Sequence, residues 1–171
     1  NMILVYGDVL KALEFFINFL IQVENIYDYQ GGMCNNSSLN SMMILKNHEM
    51  DNEFYKSVNT SVIETNFTMN WYFTLFQCFP QRLAIRLLDL IVIYGKDIIP
   101  VISSAFIVYC KNDILKIVKI YEIEKYIIIS KYFTSLDKKL TFEEKGNENK
   151  ILLNESRLFE LIFELLKEYK K

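Results

Sequence analysis

Two apolar runs separated by only three residues constrain this chain more than any other feature. They span residues 83–94 and 98–110 and flank Gly95-Lys96-Asp97. Each is about a dozen residues long, short of the ~18 to 20 uninterrupted apolar residues that a membrane span requires. The first run also carries Arg86 and Asp89. Both are therefore read as core helices buried on most sides, and no transmembrane segment is expected. The break between them suits a helix-to-helix turn. Gly95 can take a left-handed backbone after the first helix, and Asp97 can cap the second. Pro100 then falls in a first turn, where a missing N–H costs nothing.

An aromatic stretch precedes these runs. Residues 67–79 contain Trp71, Phe73, Phe76 and Phe79, followed directly by Pro80. A turn at Phe79-Pro80 would fold the helix at 83–94 back onto Trp71, so the rings are expected as core anchors, each worth ~3 to 5 kcal/mol on truncation if fully buried. Arg82, Arg86 and Asp89 share one stripe of that helix, being four and three residues apart. In so apolar a helix, Arg86 with Asp89 reads as an ion pair or cap that locks neighbouring loops.

The rest of the chain reads as further helix around a polar interruption. At 10–23, Lys11, Glu14, Asn18 and Gln22 fall on one stripe and the remainder is apolar, the pattern of a core helix with one wet edge. Residues 28–41, with Gly31-Gly32 and Asn35-Asn36-Ser37-Ser38, are expected to form a mobile loop. Residues 114–134 read as helix on balance, although Ile127-Ile128-Ile129 alone would also suit a strand. A charged linker at 137–150 separates a body at 1–136 from a terminal amphipathic helix at 151–171. That helix has Asn154 as its N-cap, an apolar face of Leu158, Ile162 and Leu165 with Phe159 and Leu161, and a wet side of Glu160, Glu164 and Lys167.

Composition narrows the classes. With 171 residues, 51% hydrophobic and 15% aromatic, one domain can bury a sizeable core and a second full domain has no room. A net charge of −2 gives no basic footprint for nucleic acid. Cys34, Cys78 and Cys110 are odd in number and widely spaced, and His48 is the lone histidine. Neither a disulfide framework nor a zinc site is suggested, which points to a reduced, intracellular compartment and to no metal or other cofactor.

The segment 71–115 also resembles the late part of a TBC domain, the module that switches off Rab-type small GTPases. The family's pattern there is a W-F-x-x-L-F block, an F-P turn, an apolar helix containing R-x-W-D, a glycine break, and a second apolar helix ending near E-L-L. This chain supplies Trp71, Phe73, Leu75 and Phe76, then Phe79-Pro80, Arg86 and Asp89, Gly95, and Asp113-Ile114-Leu115. Leu88 stands where the family prefers Trp. Residues 44–55 resemble the family's helix ending in K-H-x-P-x-L-Y, with Met50 at the proline position, and residues 3–16 resemble the segment after its Y-x-Q-G-M motif.

The resemblance implies an all-α fold, the helical C-terminal half of a Rab GTPase-activating domain, and a Rab-type GTPase as partner. It further implies an arginine placed beside the transferring phosphate and a glutamine that orients the attacking water, carried by I-x-x-D-x-x-R and Y-x-Q. Neither motif occurs at its expected place, so no catalytic residue is assigned within the chain, and both are expected upstream of Asn1. Tyr27-Asp28-Tyr29-Gln30-Gly31-Gly32-Met33 superficially resembles Y-x-Q-G-M, but only 41 residues separate Gln30 from Trp71, an interval in which the family needs several helices. The chain is thus expected to be a regulatory, non-enzymatic part of a GTPase activator, cytoplasmic and peripheral at endomembranes. Self-association through surface left bare is expected, and the alternative is a non-catalytic module that binds a small GTPase or a tether.

Overall fold

A computed structural model describes residues 8–22, 45, 54, 69–120, 125–134, 140–144, 147–151 and 154–170. The expected loop at 28–41, with Cys34 and Gln30, and His48 lie outside the described residues. The elements are α1 (Val9–Gln22), α2 (Met69–Thr74), α3 (Gln81–Tyr94), α4 (Ile98–Ile120), α5 (Lys125–Thr134), β1 (Leu140–Glu144), β2 (Asn147–Ile151) and α6 (Glu155–Tyr169). The architecture is all-α around α4, and the β1–β2 hairpin is the one sheet among the described residues.

α4 is the axis because its first ten positions are all buried. A helix apolar on every side has no wet face to show and must be surrounded. Two serines interrupt it without cost, since the Ser103 and Ser104 hydroxyls donate back to the carbonyls of Ile99 at 3.1 Å and Pro100 at 2.8 Å. The helix continues past Cys110 to Ile120, farther than the apolar run suggests, because Asn112, Lys116 and Lys119 keep one edge in water while Ile114 and Ile117 stay buried. By length and composition Ile98–Lys119 could cross a membrane, with a mean hydropathy of 1.5. Two thirds of that stretch is nevertheless buried inside this fold, as a core helix would be.

α3 precedes α4 and buries Leu83, Leu87, Leu90 and Ile91, a stripe at helical spacing. Its end is made by Gly95, whose N–H donates to the Ile91 carbonyl at 2.8 Å and whose backbone sits at φ 74, ψ −166. That combination lies in a region open essentially to glycine alone. The following N-terminus is not capped by Asp97. The amides of Ile98 and Ile99 donate instead to the backbone carbonyls of Gly95 at 3.5 Å and Lys96 at 3.1 Å, and the Asp97 side chain stays exposed.

At the other end of the chain α6 buries Leu158, Leu161, Ile162, Leu165 and Leu166 and packs along α4. Asn154 caps it, with its side-chain oxygen accepting the Arg157 amide at 3.1 Å. The segment read as a charged linker pairs into an antiparallel hairpin, with Leu140 opposite Ile151 and Glu144 opposite Asn147. Two short runs with β-forming Thr, Phe and Ile, separated by only two residues including a glycine, carry the signal for such pairing. At the N-terminal side Asp8 caps α1, its carboxylate accepting the amides of Leu10 at 2.8 Å and Lys11 at 3.4 Å.

Candidate functional site

The motif positions singled out from the sequence form two adjoining structures, an aromatic turn and an arginine latch. α2 ends on an unusual reversal. The Leu75 amide donates to the Tyr72 carbonyl at 3.2 Å and the Phe76 amide to the Trp71 carbonyl at 2.9 Å. This is the double hydrogen bond of a Schellman stop, with Leu75 at the position that normally takes glycine. Leu75 and Phe76 accordingly sit at φ 46 and φ 62. Left-handed backbone costs a non-glycine residue roughly 1 to 2 kcal/mol, so both must be held by what they bury. Phe76 is fully buried and Leu75 nearly so, and the Phe76 ring lies 6.5 Å from that of Trp71, the apolar contact that accompanies this stop.

The reversal drives the rings into the core. Trp71 is 2% exposed and meets Phe79 at 5.4 Å, Phe106 of α4 at 5.9 Å and Phe133 of α5 at 4.9 Å, the last edge to face. Phe79 stacks on Phe106 at 4.4 Å. Among the described residues the ring partners of Trp71 outside the turn are on α4 and α5, and Trp71 shares one buried cluster with Leu83, Leu87 and Leu90 of α3. Pro80 is the N-cap residue of α3, and its carbonyl accepts the Ala84 amide at 2.9 Å. Phe73 lies within α2, with its side chain outside the described set.

Arg86 does not pair with Asp89. Its guanidinium reaches across to α6, where it donates to Glu155 at 2.5 Å and lies over the Phe159 ring, 4.2 Å from the centroid. Arg82 approaches the other oxygen of Glu155 at 3.6 Å, and Asp89 is exposed. The Asn154 amide donates to the Tyr109 hydroxyl of α4 at 2.8 Å, so the start of α6 is tied to both α3 and α4. Farther along, the Tyr94 ring meets Phe163 at 6.2 Å. Arg157, the third and last arginine of the sequence, pairs with Glu160 at 3.2 Å and Glu164 at 3.7 Å.

Beside the turn, Leu75, Phe79, Ala84, Ile85 and Leu88 line an open cavity of about 140 Å³ with Gln77 and Gln81 at its edge. A partly buried polar chain links α4 to α5. The Tyr132 hydroxyl donates to Asp113 at 3.0 Å and hydrogen-bonds the Cys110 thiol. Burial pushes the Cys110 thiol up to about 12, against the lowering effect of that hydrogen bond, and burial followed by the nearby Cys110 and Asp113 raises the Tyr132 phenol as well. Burial also raises Cys78. Among the described residues no group of three or more His, Cys, Asp or Glu side chains could share a metal ion.

These motif positions pack the aromatic core of a helical body and join α3 to α6. A family model for the Rab-GTPase-TBC domain matches residues 1–115, and the chain belongs to that family. No curated protein and no solved structure matches it. The matched stretch ends inside α4, whereas the latch partners Glu155 and Phe159 and the buried leucines of α6 lie beyond it. Sequence reading missed those latch partners. A carboxylate in the first turn of an amphipathic helix is the only local sign, and it is explained equally well by the helix dipole.

Proposed function

We propose that this chain is the scaffold and part of the GTPase-binding surface of an activator for Rab-type small GTPases, its C-terminal subdomain, acting in the cytoplasm at an endomembrane. Catalysis in this reading comes from an arginine and a glutamine that this chain does not itself supply. The observation that carries it is the engagement of the arginines with carboxylates of α6, most firmly Arg86, held by Glu155 and Phe159. An arginine that stabilises phosphoryl transfer must be free to place its charge beside the γ-phosphate, an effect worth ~10³ to 10⁵ in rate. Arg86 would have to abandon its α6 contacts to do so.

The chain on this reading binds without accelerating hydrolysis and needs no cofactor. Biolayer interferometry of the immobilised chain against a panel of Rab-type GTPases, each loaded with a non-hydrolysable GTP analogue or with GDP, tests it. Saturable binding to at least one GTP-form member is expected. Failure of every member in both nucleotide states would refute a GTPase-binding role.

A further inference from the structure

We draw no further inference here: the strongest candidate, the open apolar cavity that Leu75 and Phe79 of the aromatic turn form with Ala84, Ile85 and Leu88 of α3, carries nothing because nothing among the described residues shows what covers it.

Discussion

Truncation of Trp71 to alanine should remove a large fraction of the fold's stability. The side chain is 2% exposed and lies within 4.9 to 6.5 Å, centroid to centroid, of the rings of Phe76, Phe79, Phe106 and Phe133. Burial of ~200 Å² of aromatic surface at ~25 cal/mol per Å² contributes about 5 kcal/mol. Large aromatic-to-alanine changes in packed cores cost about 3 to 5 kcal/mol once partial relaxation is included, so about 4 kcal/mol is expected here. Whole domains are stable by only ~5 to 15 kcal/mol, and for this size each kcal/mol moves the melting temperature by about 2 to 4 °C. Urea melts followed by circular dichroism at 222 nm, which does not depend on the lost indole, measure the change. Trp71→Phe should keep most of the ring contacts and cost less than half as much. A loss below about 1 kcal/mol for Trp71→Ala would show that these rings do not support one another as the distances imply.

Three further outcomes follow from the latch, the turn and the buried thiol. Glu155→Gln should cost about 0.5 to 1 kcal/mol, shrinking in high salt, because Arg86 and Glu155 are partly exposed at 45% and 25%. Arg86→Ala should cost somewhat more because the Phe159 contact goes too, and a double-mutant cycle of the two in urea melts should show coupling. Gly95→Ala should destabilise by about 1 to 3 kcal/mol in the same melts through backbone conformation alone, since a Cβ there meets nothing within 4 Å. Because the folded Cys110 thiol is held up at about 12 against an ordinary value of 9.0, stability should be whole below pH ~9 and fall as pH climbs from there toward ~12, at up to ~1.4 kcal/mol per pH unit, as the unfolded chain releases a proton that the folded one retains. Denaturant midpoints across that window should decline less steeply in Cys110→Ala.

The helices that carry the fold are legible where periodicity and termination coincide. Residues 83–94 with Gly95, and 155–169 with Asn154, each pair an apolar stripe with a recognisable end, and the structure forms α3 and α6 there. The site was legible only as a set of positions. Arg86 finds its partner 69 residues away, on an element whose docking no local pattern encodes, and Asp89, three residues off, is the pairing that sequence proximity favours. The Schellman stop at Leu75 was hidden because its usual glycine is absent, and tertiary burial holds a backbone that propensity would refuse. The hairpin at 140–151 was masked by its charges, since backbone pairing depends less on composition than on the two-residue separation of the strands.

Single-turnover GTP hydrolysis tests most directly whether the chain is a binding part of a GTPase activator that lacks the catalytic groups. A GTP-loaded Rab-type GTPase that binds the chain is mixed with a saturating excess of it, and phosphate release is followed in time. Hydrolysis at the intrinsic rate is expected, with Arg82→Ala and Arg86→Ala changing nothing in the rate. A stimulation of a hundredfold or more that disappears with Arg86→Ala or Gln30→Ala would place catalysis inside this chain and contradict the reading.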